Sequence, residues 1–200
     1  LGPSSSGWVL SGRLEVIAVE LLSIKSTLVI PDFIPSVGMV IGGHKQLDAV
    51  DLGVQVLHHP GGDGFALGAG SSADAPRARV TLGSLVSLQG KFRWRFAQSS
   101  WGGLYLGLSP GVSLVLHSQS LRTAVQDSAA DGELERSLKP LTLGGSVQTG
   151  LGVFVSLAPH LSLDLAVSSL VVLGPARLNE AELSYLRFFT GLALGLEWRV

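Results

Sequence analysis

The chain has 200 residues, of which 46% are hydrophobic and only 14% are charged, and its formal net charge is -1. Soluble domains carry about 25% charged residues, so an ordinary water-exposed surface is not expected. The near-neutral charge gives no basis for nucleic-acid binding. Zero cysteine excludes disulfides and cysteine metal sites. The most apolar stretch, residues 8–30, contains Arg13, Glu15, Glu20 and Lys25. These charges argue against a transmembrane helix, which leaves a β-barrel as the membrane-spanning option.

In chain order, apolar and polar residues alternate over eight predicted strands, at residues 8–24, 28–41, 47–58, 77–97, 102–118, 144–157, 161–174 and 184–200. The fourth is the most regular. From Val80 to Phe96 its even positions are apolar or small and its odd positions polar or cationic, with Leu85 as the exception. Successive strand side chains point to opposite faces, so this pattern is typical of a strand with lipid outside and a polar lumen inside. Pro31 and Pro35 remove backbone donors from strand two.

The connections between the predicted strands alternate in length. Short turns are predicted at 42–46, 98–101 and 158–160, and longer loops at 59–76, 120–143 and 174–183, with one short link at 25–27. A short helical turn is predicted within the polar segment 126–136. Short turns on one side and longer loops on the other are typical of bacterial outer-membrane barrels, with the short side periplasmic. An even strand number then puts both termini in the periplasm.

All four tryptophans lie at one end of the predicted strand arrangement. Trp8, Trp94, Trp101 and Trp198, with Phe92 and Phe96 beside them, fall at the predicted periplasmic end. Amphipathic aromatics collect at membrane–water interfaces, so we expect an interfacial girdle there. Phe33, Tyr185 and Phe188 would form a thinner girdle at the outer end. The alternative is that the tryptophans serve one end of a soluble core.

Polar side chains on the inward parity form a predicted lumen network. Its members are Arg13, Glu15, Asp51, Gln55, Arg79, Gln89, Lys91, Arg93, Arg95, Asp164, Glu197 and Arg199, with Tyr105 and Gln148 on the same parity. An eight-stranded barrel is just wide enough for side chains to fill, and buried charges must pair. The pattern therefore favours an ion-pair plug. The alternative is a narrow anion-permeable conduit lined by Lys91, Arg93 and Arg95.

The five histidines are not expected to form one site. His44 and His160 fall in predicted periplasmic turns, whereas His58, His59 and His117 lie toward the outer end. We expect exposed loop histidines and no metal or cofactor, although the outer three could approach one another closely enough to bind a metal ion.

Two histidines have a hydroxyl nearby in the sequence. Ser118 and Ser120 follow His117, and Ser162 follows His160. Nucleophilic hydrolases need such a pair, and some small outer-membrane barrels are lipid-modifying enzymes. No carboxylate is spaced to orient either imidazole, so we expect no enzymatic activity.

Three segments carry a resemblance to a known group. Residues 34–54 and 151–167 resemble strand–turn–strand hairpins of small bacterial outer-membrane barrel proteins, the OmpA/OmpX-like group. Residues 189–200 resemble the C-terminal strand recognised by the barrel-assembly machinery, except that Val200 stands where an aromatic is usual and Trp198 lies nearby. The resemblance implies a barrel in the outer membrane of a Gram-negative bacterium. It also implies a group that supplies adhesins, envelope-integrity barrels and accessory subunits of larger machines.

The sequence thus predicts an all-β protein, an eight-stranded antiparallel up-and-down transmembrane β-barrel. Residues 1–7 are expected to form a flexible segment and residues 8–200 a single barrel domain. The expected partners are outer-membrane lipid, the barrel-assembly machinery during biogenesis, and a protein bound through the loops or the barrel wall. The expected role is non-catalytic and structural or interactive, for example in an envelope assembly. The alternatives are a narrow anion channel, a soluble lipocalin-like ligand-binding barrel and a lipid-modifying barrel enzyme.

Overall fold

A computed structural model describes residues 7–24, 27–31, 36–68, 78–127, 140–177 and 182–200. Most of the predicted flexible segment, residues 1–6, lies outside this part of the chain. The elements are β1 (Trp8–Ile24), β2 (Thr27–Pro31), β3 (Ser36–Leu47), β4 (Val50–His59), β5 (Asp63–Gly68), β6 (Ala78–Thr81), β7 (Leu85–Gln98), β8 (Gly102–Leu116), α1 (Gln119–Asp127), β9 (Leu141–Ala158), β10 (Leu161–Arg177) and β11 (Glu182–Arg199). Among these residues, no helix is both long and apolar enough to cross a membrane.

Eight long strands close into a barrel. They follow the order β1, β3, β4, β7, β8, β9, β10 and β11, each antiparallel to the next, and β11 returns to pair with β1. In this closing ladder Leu10 lies opposite Trp198 and Ile24 opposite Tyr185. Closure leaves the barrel sheet without a free edge, which a membrane-spanning sheet requires because lipid cannot satisfy backbone groups. The predicted eight-stranded antiparallel barrel is confirmed.

The two walls of the barrel have opposite chemistry. Strand β7 alternates buried and exposed residues along nearly its whole length, and the other barrel strands share this period of two. The outward side chains are leucines, valines and aromatics, such as Val54 and Leu192, which are 62% and 64% exposed. Inward side chains are mainly polar, and Arg93 is only 1% exposed. A continuous apolar outer surface of this kind suits hydrocarbon rather than water.

One end of the barrel carries an extra layer. The last residues of β1 pair with β2, β2 pairs with β5, and β5 pairs with β6. Helix α1 packs against β5 and β6. We call β2, β5, β6 and α1 the outer lid, and this end of the barrel the lid end. Its existence corrects two predictions, because the predicted strand 28–41 is β2 and β3, and the predicted strand 77–97 is β6 and β7.

The division of the predicted fourth strand also changes which of its positions face inward, from even positions before the break to odd positions after it. Residues 82–84 leave the ladder, and Gly83 presses against β8 so closely that a Cβ atom there would lie 1.4 Å from the Leu116 carbonyl oxygen. Before the break, Val80 and Leu82 point inward, and after it Leu85 points inward. Val80 and Leu82 were expected on the lipid wall, and this prediction was wrong.

The opposite end carries the short turns, at residues 48–49, 99–101 and 159–160, and we call it the turn end. The predicted turn at 42–46 was wrong, because these residues continue β3. The chain instead reverses at Asp48, whose φ of 48° is left-handed. The glycines in this hairpin allow close strand contact, since a Cβ atom at Gly53 would lie 2.0 Å from the Gly43 carbonyl oxygen. The predicted turns at 98–101 and 158–160 are confirmed.

Candidate functional site in the barrel lumen

Arg93 is the centre of a buried ion-pair network near the turn end. Its Nε donates to Asp51 Oδ2 at 2.6 Å. Its two terminal nitrogens donate to the two oxygens of Glu197 at 2.7 and 3.1 Å. Such a two-pronged arginine–carboxylate pair is stronger and more directional than a single hydrogen bond. Strands β4, β7 and β11 are thereby joined across the lumen.

Three further side chains complete this network. Lys91 Nζ lies 3.7 Å from Glu197 Oε1, and Arg95 Nε lies 3.1 Å from Asp51 Oδ1. The ring of His44 contacts Arg93 Nη2 at 3.0 Å and Lys91 Nζ at 3.3 Å. His44 was predicted to lie in a periplasmic turn. That prediction was wrong, because β3 continues past it and turns its side chain into the lumen.

A second cluster surrounds Asp164. The hydroxyl of Tyr105 donates to Asp164 Oδ1 at 2.6 Å, and Arg13 Nη1 lies 3.6 Å from Asp164 Oδ2. Arg13 also lies 3.9 Å from Glu15. The Arg93 guanidinium stacks 4.6 Å above the centre of the Tyr105 ring, which connects this cluster to the first.

A layer of side-chain amides lies next to these charges. Gln55 Nε2 donates to the side-chain oxygens of Gln89 and Gln148 at 2.8 and 2.9 Å. Gln148 Nε2 donates in turn to Glu15 at 2.8 Å. The layer joins side chains from β1, β4, β7 and β9, so the lumen is crossed by direct hydrogen bonds.

The charges in the lumen are closely matched. Between the turn end and the middle of the barrel, the described lumen residues include four cations and four carboxylates: Arg13, Lys91, Arg93, Arg95, Glu15, Asp51, Asp164 and Glu197. Each of the four cations has a carboxylate within 4.0 Å. Lys91, Arg93 and Arg95 therefore form ion pairs rather than an unpaired cationic lining.

Two residues predicted for the network lie elsewhere. Arg79 is in the outer lid, where its side chain is 61% exposed and pairs with Asp63 at 3.1 Å. Its inward placement was wrong, because β6 belongs to the lid and not to the barrel wall. Arg199 lies at the mouth of the turn end, where Nη2 donates to Gln46 Oε1 at 2.9 Å.

A buried ion pair near the lid end was missed from the sequence. Arg187 Nε donates to Glu20 Oε1 at 2.6 Å, and both side chains are buried. The ladder between β1 and β11 shifts register between Ile17 and Val19. This bulge exchanges the two faces of β1, so Glu20 points inward although its parity differs from that of Glu15. No local sequence pattern marks the position of this bulge, because it depends on the partner strand.

The lid end of the lumen is closed by apolar side chains. We call this cluster the apolar plug, and its members are Ile17, Leu22, Val40, Leu57, Val80, Leu82, Leu85, Val115, Leu121, Leu170, Val172 and Phe189. Barrel strands supply most of them, and the outer lid contributes Val80 and Leu121. Leu85, the exception in the alternation of its strand, is 0% exposed inside this plug. A soluble lipocalin-like barrel would need the reverse arrangement, with an open apolar lumen and a polar outer wall.

The other histidines differ in their surroundings. His59 is buried against the Phe189 ring and lies 2.8 Å from Ser36 Oγ. His117 is buried and lies 3.0 Å from Thr142 Oγ1. His58 and His160 are exposed. The expectation of exposed histidines is confirmed for His58 and His160, and it is wrong for His44, His59 and His117. Within the described ranges, no group of three acidic or histidine side chains is arranged to hold a metal ion.

The predicted aromatic girdle lies on the outer surface toward the turn end. Its exposed side chains are Trp8, Phe92, Trp94, Phe96, Trp101 and Trp198. The rings of Trp94 and Phe96 are 5.7 Å apart. At the lid end Phe188 is half-buried, while Phe33 and the side chain of Tyr185 lie outside the described residues.

A closed eight-stranded sheet, an apolar outer wall and a packed polar lumen define the class of this protein, an eight-stranded transmembrane β-barrel of the outer-membrane type. Its fold is that of the small outer-membrane barrels, including the OmpA/OmpX-like group. No family model matches the chain, and no curated protein matches it.

Several solved structures are similar. Neisserial surface protein A is 12% identical over 98% of each chain, with a TM-score of 0.54. The attachment invasion locus protein Ail of Yersinia pestis is 11% identical over 98% of this chain and 99% of its own, with a TM-score of 0.39. The outer membrane protease OmpT of Escherichia coli is 8% identical over 100% of this chain and 99% of its own, with a TM-score of 0.49. Of these three, Neisserial surface protein A has a TM-score above 0.5, so its similarity supports the fold. At 12% sequence identity the similarity shows the fold alone.

Proposed function

We propose that the chain is a sealed, non-catalytic barrel of the bacterial outer membrane with a structural or interaction role in the cell envelope. The filled lumen carries this proposal. Ion pairs fill the lumen at the turn end, side-chain amides fill its middle, and the apolar plug fills its lid end. Cavities among the described lumen residues measure only about 20 and 10 Å³. Each holds roughly one water molecule at most.

The matched charges support a sealed barrel over an anion channel. A permeant anion at Lys91 or Arg93 would have to displace Glu197, which holds both. Breaking a buried ion pair leaves an uncompensated charge and costs about 3–5 kcal/mol. An anion would then meet the apolar plug, whose aliphatic side chains cannot replace its hydration.

The orientation we propose places the turn end and both chain ends in the periplasm. The short turns and the aromatic girdle share this end, as in bacterial barrels whose short turns are periplasmic. The outer lid then faces the exterior. Assembly by the barrel-assembly machinery, and binding of a protein partner through the lid, the loops or the barrel wall, belong to the same proposal.

The surroundings of His117 and His160, the two histidines with a hydroxyl nearby in the sequence, support a non-catalytic role. A nucleophilic site needs a hydroxyl, an imidazole and a group that orients the imidazole. The ring of His160 instead stacks on Trp198 with the ring centres 6.5 Å apart. His117 contacts a threonine of the neighbouring strand, while Ser118 caps α1 by accepting from the Leu121 amide at 3.1 Å.

Conductance across planar bilayers tests the proposal. Heat-modifiable migration on SDS gels verifies that the purified barrel is folded before it is inserted, and we expect no unitary current steps. An inserted Leu88→Ala variant, altered only on the lipid wall, serves as the matched control and should also be silent. Reproducible steps with anion preference from the unaltered chain would contradict the sealed lumen and favour the narrow channel.

Cysteine labelling tests the orientation, since the natural chain contains no cysteine. Ala158 is the last residue of β9 beside a short turn, and Gln119 begins α1; both side chains are exposed, and each is replaced by cysteine. On intact cells a membrane-impermeant maleimide should label the Gln119 variant and spare the Ala158 variant until the envelope is opened. The reverse pattern would overturn the proposed orientation.

A further inference from the structure

A solvent-open cavity lies at the mouth of the turn end, outside the filled part of the lumen. Its volume is about 340 Å³, within the range of small-molecule sites. We call it the turn-end vestibule, and its lining includes Gln46, Ser100, Ser156, His160, Ser162 and Arg199. Glu197 forms part of its floor. The lining is thus rich in hydrogen-bond donors and holds one cation near the opening.

Arg199 supplies a positive charge that the lumen does not neutralise. Its Nη2 donates to the neutral amide oxygen of Gln46 at 2.9 Å, and within the described ranges no carboxylate lies within ion-pairing distance of it. Glu197, two residues earlier on the same face, accepts from Arg93 through both oxygens. That carboxylate is therefore already engaged. With Arg199 included, the lumen and its mouth hold one cation more than they hold carboxylates.

The neighbouring arginine cannot replace Arg199 as an anion-binding group. Arg95 pairs with Asp51, and its terminal nitrogens donate to the Asp48 carbonyl and to Gln98 Oε1. Among the described residues, the Arg199 guanidinium instead donates to one side chain, that of Gln46, which leaves N–H groups for a ligand. A planar guanidinium with two free donors matches the oxygens of a carboxylate or phosphate group.

Three hydroxyls line the same cavity from one turn and two strands. Ser100 lies in the turn before β8, Ser156 near the end of β9, and Ser162 near the start of β10. The backbone amide of Ser156 donates to the Trp101 carbonyl at 2.8 Å, which holds the rim of the vestibule in place. Hydroxyls can donate to an anionic oxygen and so supplement the arginine.

We infer that the turn-end vestibule binds an anionic group, a carboxylate or a phosphate, seated against Arg199 and the serine hydroxyls. The site is open to the compartment at the turn end and is separated from the lid end by the filled lumen. It would therefore serve as a binding site on one side of the membrane and not as the entrance to a pore. The inference does not depend on whether the lumen conducts.

The first experiment uses the full chain folded in uncharged detergent and inorganic phosphate as the probe. Amide chemical shifts are followed by NMR, and we expect saturable changes confined to the vestibule, at Gln46, Ser100 and residues 156–162 and 197–199. Arg199→Gln should weaken binding by at least about tenfold, because it removes a charge-assisted hydrogen-bond pair. Ser156→Ala, at an exposed position that should not affect folding, should weaken it by about two- to fivefold, since one neutral hydrogen bond is lost.

The matched control is Lys45→Gln, which removes an exposed cation at the same end but outside the vestibule. This variant should bind phosphate as the unaltered chain does. No saturable change, or an equal loss in the Lys45 and Arg199 variants, would overturn the site in favour of diffuse charge attraction. Heat-modifiable migration verifies that every variant is folded.

A second arm distinguishes the source of the anion. The barrel is placed in nanodiscs of phosphatidylcholine with or without phosphatidylglycerol, and phosphate is titrated again. A weaker apparent phosphate affinity in the phosphatidylglycerol nanodiscs would assign the site to an anionic lipid headgroup. Unchanged phosphate affinity would assign it to a soluble anion. Loss of phosphate binding in both nanodiscs would overturn the inference.

Discussion

Replacing Arg93 with methionine is expected to destabilise the barrel severely. Arg93 is 1% exposed and donates three hydrogen bonds, to Asp51 and to both oxygens of Glu197. Methionine fills much of the space of the arginine stem but leaves the carboxylates unmatched. Removing one partner of a buried pair costs about 3–5 kcal/mol. With a urea m-value of roughly 2 kcal/mol/M, the unfolding midpoint in lipid vesicles should fall by about 2 M.

Two comparisons make this prediction specific. Asp51 keeps Arg95 at 3.1 Å, whereas Glu197 keeps only Lys91 at 3.7 Å, so Glu197 becomes the more poorly compensated charge. Adding Glu197→Gln to Arg93→Met should therefore recover roughly half of the lost stability. Arg79→Met, which breaks an exposed pair, should cost only about 0–1 kcal/mol. Equal costs for the Arg93 and Arg79 variants would refute the proposed role of burial.

Three further predictions concern the lid end. Gly83→Ala should cost about 1–3 kcal/mol in urea unfolding, because its Cβ would strike backbone. Gly12→Ala, with open space around it, should change stability little, and similar effects of the two would contradict the close packing. Leu85→Ala should cost about 2–5 kcal/mol by leaving a cavity in the apolar plug. Leu88→Ala should cost less, because lipid chains refill the wall, and the opposite ranking would reject the plug. Burial, followed by the charges of nearby arginines, lowers the pKa of His117 to about 4. The ordinary value is about 6.5, so stability is full above pH 6.5 and declines as the pH falls toward 4. NMR titration should give an inflection near 4, and one near 6.5 would disprove the burial.

The closure of β1 onto β11 illustrates what the sequence pattern could not reveal. Glu20 and Arg187 are separated by most of the chain, and they meet only because the first and last strands pair. The bulge in β1 then determines that Glu20 faces inward. Neither effect leaves a local pattern, since a bulge is one extra residue whose position depends on the partner strand. The same reason explains the misplaced turn at 42–46, where glycines permit close strand contact instead of a reversal.

The outer lid shows the same limit. Residues 80–96 alternate with Leu85 as the exception, yet the chain leaves the ladder at 82–84, and the inward-facing positions change from even to odd. Val80 and Leu82 consequently enter the apolar plug, and Arg79 faces water beside Asp63. An apolar side chain satisfies either lipid or a buried plug, so hydropathy alone cannot distinguish the two destinations.

Alternation by itself determined the barrel, its strand number and the chemistry of its two walls. When one face of each strand must contact hydrocarbon, an alternating sequence can place its apolar side chains on that face in only one way. The observed β1 has the predicted bounds of residues 8–24. Tertiary structure alone decided which charges pair, where the lumen closes and which cation remains at its mouth. Those features depend on distances between strands remote in sequence, and side chains acquire such distances only when the sheet closes on itself.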